Sequence, residues 1–265
     1  SKANSKKTSS KILIERLLFQ LELYVMEKVS MVIAINDNLK EELVFNGIPK
    51  ENIEVIKNAV NVTLINNLKA NNKKTNSSNR INFGYIGTLT PHEGIDFLID
   101  AFKDVNSIYP EAKLLIYGSG IESKSIKKLA SEVKGVEFYG SVNPNEIYQA
   151  FSLIDVIVNP RYKNKLTDSV TPLKPLEAMA YEKLVIGSDV GGIKELITHN
   201  ENGFLFKAGD KKSLVATMIN VIKLDFRRQE LFKSKGLSYV INEKSWLTNA
   251  NKYQNIYNSM IRARN

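Results

Sequence analysis

A group of positively charged side chains between residues 161 and 174 has the spacing to do chemistry. Its members are Arg161, Lys163, Lys165 and Lys174. Asp168 is the one acidic residue in the same stretch, and Pro172 and Pro175 frame the last lysine. The fixed φ of proline suits the first turn of a helix, whose free N–H groups attract anions. Together these features predict an anion site, most simply for a diphosphate, and a solvated basic loop is the alternative.

Glu177 follows this group in the first turn of the expected helix. Helix capping is one explanation, because a carboxylate there interacts favourably with the helix dipole. Its charge would nevertheless repel a neighbouring phosphate, so we expect the side chain to point past the phosphates to hydroxyl groups. A carboxylate accepts hydrogen bonds from two vicinal hydroxyls, as a ribose presents them. Glu177 is therefore a candidate ribose ligand.

Two other features give weaker predictions. The turn at residues 118–120, Gly-Ser-Gly, resembles half of a dinucleotide-binding fingerprint, but it reads G-x-G-x-x-S. The acidic residue of such a site would be Glu137, which begins a strand instead of ending one, so we favour a tight turn.

His92 is one of two histidines. We favour a surface turn over a ligand role for it.

The order of apolar segments predicts the scaffold that positions these residues. Strands are expected at 81–89, 112–118, 136–142, 155–160, 183–188 and 204–207, and helices at 94–110, 122–133, 145–154, from about 175, at 193–199 and at 212–223. The strands are apolar on both faces, which is typical of a doubly wound α/β domain with a parallel sheet between helices. Ligands bind at the carboxyl ends of such strands, where Gly87-Thr88, residues 118–120 and Pro160-Arg161 stand out.

The first 80 residues have a different pattern. Apolar positions at helical spacing predict a helix over 12–28, and residues 31–36 and 53–60 are strand-like. Between them Asp37 is expected to cap a helix that ends at Gly47. Residues 66–80 have the lowest complexity in the chain and are interpreted as a linker.

Composition restricts the class of protein further. The chain of 265 residues contains no cysteine, which excludes disulfides and thiolate metal sites. It lacks an apolar run of the ~18 residues that a spanning helix needs, and the polar first residues do not resemble a signal peptide. The net charge of +9 is concentrated in residues 1–11 and 223–265. This distribution disfavours nucleic-acid binding, and it suits either solubility or weak attraction to anionic lipid.

Three segments carry a resemblance to a known family. They are PLKPLEAMAYEKLVIGSDVGGIKELI, GYIGTLTPHEGIDFLI and NENGFLF. They resemble the nucleotide-sugar-binding half of family 4 (group 1) glycosyltransferases. RYKNKLTDSVTPLKPLE, residues 161–177, is similar to an exopolysaccharide-type variant of that family. The resemblance covers about residues 30–260.

The resemblance implies a fold of two Rossmann-like domains (GT-B), with the donor in the C-terminal one. It implies sugar transfer with retention, without metal or other cofactor. Glu177 matches the second glutamate of the family's paired motif, which holds the donor ribose, and the first glutamate falls at Ser169. Arg161, Lys165 and Lys174 are expected to supply the charge that the family places in the loop after the first strand, where this chain has Thr88, His92 and Glu93. The implied donor-binding residues are Glu177, Lys174, Arg161, Lys165, Ser169, Thr171, Pro172, Leu173, Gly87, Thr88 and Val142, with Lys174 and Arg161 stabilising the leaving group.

The same resemblance implies how the chain is organised. Residues 1–65 resemble the end of an N-terminal acceptor domain and the crossover from it, 66–80 a linker, 81–240 the donor domain, and 241–265 a helix that returns to the first domain. We therefore expect a fragment, or a partner of a separate N-terminal acceptor domain.

The expected ligands are a UDP- or GDP-linked sugar and an acceptor sugar or lipid-linked glycan. The expected location is the cytoplasm, with peripheral contact at the inner face of the membrane. The alternatives are a non-catalytic nucleotide-binding or scaffolding module and, from the Gly-Ser-Gly turn alone, a nicotinamide-dependent oxidoreductase.

Overall fold

The computed structural model describes residues 2–70 and 81–264. Its contacts divide the chain into two units, Ser1–Lys57 with Lys252–Asn265, and Asn58–Asn251. The predicted linker at 66–80 overlaps helix α3 (Val62–Ala70), and its remaining residues, 71–80, lie outside the described residues.

The first unit contains a small parallel sheet. Its elements are α1 (Lys2–Lys28), β1 (Val32–Ala34), α2 (Asp37–Phe45) and β2 (Ile53–Val55). β1 and β2 pair in parallel, and Leu43 and Ile48 are buried with them. The cap of α2 differs from the prediction by one residue, because Asn36 accepts the hydrogen bond from the Leu39 N–H at 2.8 Å.

The second unit is built on one parallel sheet. After α3 the elements are β3 (Asn82–Ile86), α4 (Ile95–Ile108), β4 (Lys113–Tyr117), α5 (Ser123–Ser131), β5 (Val136–Gly140), α6 (Ile147–Leu153), β6 (Val156–Asn159), α7 (Lys165–Ser169), α8 (Lys174–Ala180), β7 (Leu184–Ser188), α9 (Gly191–Lys194), β8 (Phe204–Phe206), α10 (Lys211–Ile222) and α11 (Phe226–Glu243). The last helix, α12 (Trp246–Arg264), begins in this unit, and its residues from Lys252 onward belong to the first. In the described residues the strand order is β5-β4-β3-β6-β7-β8.

Each face of this sheet is covered by a separate apolar core. Phe83 and Tyr85 of β3 pack with α4 residues such as Phe102 on one face. On the other face, Ile154 packs over Gly84, where an added Cβ would lie 2.3 Å from the Ile154 Cδ1 atom. Alternate residues of one strand thus enter different cores, which confirms the predicted doubly wound α/β class.

The connection pattern changes direction between β3 and β6. β3 pairs with β4 on one side and with β6 on the other. Successive connections therefore leave the sheet in opposite directions at this point, and in doubly wound sheets such a point is where ligands bind, at the carboxyl ends of the strands. Two of the strand ends identified in the sequence, Gly87-Thr88 and Pro160-Arg161, directly follow β3 and β6.

Three helices of the described residues were not predicted, namely α3, α7 and α11. The segment after β6 contains the short helix α7, capped by Asn164, whose side chain accepts from the Thr167 N–H at 3.0 Å. The long helix α11 covers part of the second core, the apolar core that contains Ile154, and Val240 is fully buried there. Within the described residues, no helix has the length and apolar character needed to cross a membrane.

Candidate functional site

The candidate site lies between the segment after β3, residues 87–94, and the segment after β6, residues 160–174. The two segments are held together by their backbones: the Tyr162 N–H donates to the His92 carbonyl at 3.0 Å. Gly94 has φ 70°, and a Cβ there would lie 2.4 Å from the Pro160 carbonyl oxygen. This position therefore needs glycine for both its conformation and its close contact.

A buried carboxylate joins the two segments. Glu93, 3% exposed, accepts hydrogen bonds through Oε1 from Lys174 Nζ and from an Arg161 terminal nitrogen, both at 2.9 Å. Its Oε2 accepts from Arg161 Nε at 3.4 Å. The other terminal nitrogen of Arg161 donates to the Val170 carbonyl at 3.2 Å. The structure thus brings together the predicted Arg161 and Lys174 around an acid that the sequence analysis had not assigned a role.

The charges in this group shift one another's pKa values. Burial alone would raise the pKa of Glu93, but the charges of Lys174 and Arg161 outweigh it and hold the pKa below the ordinary glutamate value. Burial lowers the pKa of Lys174, and Glu93 partly offsets that effect. Glu93 is therefore ionised at neutral pH and supports the charged form of the lysine.

The hydrocarbon chain of Lys174 is confined by the end of β3. Its ammonium lies 5.4 Å from the centre of the Tyr85 ring, and the Tyr85 hydroxyl donates to the Thr88 carbonyl at 2.8 Å. A Cβ on Gly87 would lie 2.1 Å from the Lys174 Cε atom. Gly87 thus leaves the space through which the lysine reaches the edge of the sheet. The side chain of Lys174 is 19% exposed, so it is not fully enclosed.

Glu177 occupies the first turn of α8, as predicted. Burial raises the pKa of its carboxyl, and the charge of Lys174 opposes the rise. No hydrogen bond described in the structure involves this carboxylate. It therefore has acceptor capacity for a ligand hydroxyl group.

The segment between α7 and α8 is held against α9. Thr171 is buried, its hydroxyl donates to a Glu195 carboxylate oxygen at 2.6 Å, and its carbonyl accepts from Asn58 at 2.9 Å. Asp168 accepts from the Gly191 N–H at 2.8 Å. A Cβ on Gly191 would lie 2.3 Å from the Asp168 carbonyl oxygen. The glycine pair that begins α9 therefore permits close packing of α9 on this segment.

The other predicted residues differ in exposure and location. Lys165 is exposed at the start of α7, and no contact described for it reaches Glu93. Leu173 and Thr88 are exposed, Pro172 is buried and Ser169 is half-buried. Val142 follows β5 and packs against the second core.

The Gly-Ser-Gly turn has a structural explanation. A Cβ on Gly118 would lie 1.8 Å from the Gly87 carbonyl oxygen, and one on Gly120 would lie 2.2 Å from the Leu89 carbonyl oxygen. The Leu89 N–H also donates to the Ser119 carbonyl at 2.9 Å. The glycines therefore let this turn support the segment after β3, which accounts for them without a dinucleotide.

Comparison with known proteins identifies the family. The sequence profile of glycosyl transferases group 1 matches residues 66–236, which is more than half of the chain. The chain therefore belongs to this family.

Individual relatives agree with this assignment. The capsular polysaccharide biosynthesis glycosyltransferase CapM of Staphylococcus aureus is 27% identical over 262 residues, 91% of this chain and 66% of CapM. An uncharacterized glycosyltransferase of Methanocaldococcus jannaschii is 22% identical over 242 residues, 89% of this chain and 60% of its own length. The chain thus spans about three fifths of the length of the curated relatives it matches.

Solved structures share the fold. Alr3699/HepE of Anabaena, in complex with UDP and glucose, superposes with a TM-score of 0.72 at 21% identity, over 91% of this chain and 66% of HepE. The parallel sheet with helices on both faces is thus the Rossmann-like arrangement of GT-B glycosyltransferases.

Proposed function

We propose that this chain is the donor-binding part of a retaining hexosyltransferase that uses a sugar linked to a nucleoside diphosphate. The observation that carries the proposal is the pairing of a partly accessible Lys174 with a Glu177 carboxylate that has acceptor capacity. Both lie at the first turn of α8, beside the point where the sheet connections reverse. A cation and a hydroxyl acceptor at such a point match the diphosphate and the ribose of a nucleotide.

Each residue has a role in this proposal. The ammonium of Lys174 binds the diphosphate and stabilises its charge as the glycosidic bond breaks, since fixed charges act most strongly on developing charge. Arg161 contributes positive charge from the interior, and Lys165 does so from the exposed side. Glu177 accepts hydrogen bonds from the ribose. The backbone around Thr171 faces the sugar or the diphosphate.

The remaining assignments belong to the same proposal. Ser169, Pro172 and Leu173 lie along the sugar side, Gly87 and Thr88 beside the diphosphate, and Val142 beside the base. UDP is the first candidate, and GDP is the alternative. The acceptor is a sugar or a lipid-linked glycan in cell-surface polysaccharide synthesis, in agreement with the name of CapM.

Domain organisation is part of the proposal as well. Residues 1–65 and 241–265 associate with an acceptor domain, and residues 81–240 bind the donor. The enzyme acts in the cytoplasm with peripheral contact at the membrane.

Calorimetric titration of the chain with UDP, GDP, ADP and NAD, without added metal, tests this function. The expected result is tight binding of either UDP or GDP and weak binding of the corresponding nucleoside. Preferred binding of NAD would contradict the proposal, and so would equal affinity for a nucleoside and its diphosphate.

A further inference from the structure

The two cations of the site are exposed to different degrees. The side chain of Arg161 is 10% exposed and that of Lys174 is 19% exposed. Arg161 uses three of the five N–H groups of a guanidinium, two towards Glu93 and one towards the Val170 carbonyl. An ammonium carries three N–H groups, and the contacts described for Lys174 use one of them, towards Glu93. Each cation thus keeps two N–H groups, and those of the less buried Lys174 are the more accessible to a ligand.

These contacts form one connected line. It runs from the Val170 carbonyl through Arg161 to Glu93 and ends at the Lys174 ammonium. Glu93 itself is fixed from the other side, because it precedes Gly94, whose backbone packs against Pro160. A buried carboxylate with two charge-assisted partners has little freedom to move. The position of the lysine ammonium is therefore set by Glu93.

We propose that Glu93 is a positioning residue for the diphosphate, which holds the Lys174 ammonium at the ends of β3 and β6, and that Arg161 fixes Glu93 there. This inference depends on the proposed donor site. Without such a role, Glu93 would be expected to weaken anion binding, because its carboxylate competes with a phosphate for the Lys174 ammonium.

The charges around Lys174 explain why the acid is needed. The groups that face the lysine are Glu93 after β3, Arg161 after β6, Glu177 on its own helix and the Tyr85 ring on β3. Without Glu93, two buried cations would repel each other and burial would favour the neutral amine. The pKa of the lysine would then be lower than in the wild type, and its charge would be lost at a lower pH. Removal of Glu93 should therefore weaken diphosphate binding, and simple competition predicts the opposite.

Titration of UDP and of uridine into the wild-type chain and the Glu93→Gln variant tests the inference. His92 lies 3.7 Å from Glu93, so the titrations are run at about pH 7.5 and about pH 9, above the ordinary range of a histidine. Glu93→Gln should bind UDP about 10- to 100-fold more weakly, the loss of one hydrogen bond to a charged group. The weakening should increase at the higher pH, and uridine affinity should stay within about twofold. Glu111→Gln, an exposed site, serves as the charge-matched control.

A double-mutant cycle separates positioning from loss of structure. Once Lys174 is replaced by Met, Glu93→Gln should have no further effect on UDP affinity, because it acts through the lysine. The double variant also removes one cation along with the acid, which reduces the charge imbalance of the buried group.

Three results would overturn the inference. They are unchanged or tighter UDP binding by Glu93→Gln, an equal loss of UDP and uridine affinity, and additive effects in the cycle. A wild-type chain that binds UDP no better than uridine would instead refute the donor site itself, and the inference with it.

Discussion

Gly87→Ala should weaken nucleotide binding even though Gly87 carries no side chain. The alanine Cβ would lie 2.1 Å from Lys174 Cε and 3.1 Å from its Nζ. Non-bonded carbon atoms do not approach so closely. The lysine chain must therefore move by about 1 Å or more to regain a normal contact distance. The ammonium then leaves the position that Glu93 and the Tyr85 ring define. Loss of its hydrogen bond to a diphosphate costs about 1.5–3 kcal/mol, or roughly 10- to 150-fold in UDP affinity.

A matched variant controls for backbone strain. Gly87 has φ 157° and Gly209 has φ 74°, so alanine is unfavourable at both positions. In the described part of the chain, no heavy atom other than those of Gly209 and its two chain neighbours lies within 4 Å of a Cβ on Gly209. Gly209→Ala should therefore lose stability without losing UDP affinity.

The assay is calorimetric titration with UDP below the melting temperature of each variant. Thermal unfolding measured in parallel shows how much of each variant is folded. If Gly87→Ala binds UDP as tightly as Gly209→Ala does, the lysine is not the diphosphate ligand.

Further predictions concern both the site and the fold. Lys174→Met should weaken UDP binding by about 10- to 100-fold and leave uridine binding nearly unchanged, as measured by calorimetry. Glu177→Gln should weaken uridine binding, since a neutral amide accepts hydroxyl hydrogen bonds less strongly; an unchanged uridine affinity would contradict the ribose assignment. The raised pKa of Glu177 means that its contribution to stability is complete below the unfolded value of about 4.3 and is lost as the pH rises through the folded value. The melting temperature of the wild type should therefore fall relative to Glu177→Gln over that pH range. Phe102→Ala should lower the free energy of unfolding by about 3–5 kcal/mol in denaturant titrations, because this ring is fully buried.

Much of the fold could be predicted from local patterns. Apolar strands alternating with amphipathic helices indicated the parallel sheet, and the ends of β3 and β6 were located to within a few residues. The short helix α7 was missed because four of its five residues are polar and five residues are too few to show a period. Its cap, Asn164, was the local signal available.

The role of Glu93 depends on contacts that a local pattern does not contain. Its partner Arg161 is 68 positions away in the sequence. The sequence indicated positive charge at residues 161–174. It did not indicate that the carboxylate of Glu93 lies between two of these cations in the fold. One signal was present: Glu93 lies in the segment after the unusual strand end at Gly87-Thr88, and it precedes a glycine that opens a helix. An acidic residue there lies at the same sheet edge as the basic group, because the strands are parallel.

A crystal structure of the chain with UDP would test the central claim most directly. We expect the Lys174 ammonium to lie within hydrogen-bond distance of a diphosphate oxygen while it keeps its contact with Glu93. We also expect the Glu177 carboxylate to accept hydrogen bonds from the ribose hydroxyls. UDP bound away from the ends of β3 and β6, or bound there with its phosphates out of reach of Lys174, would contradict the account.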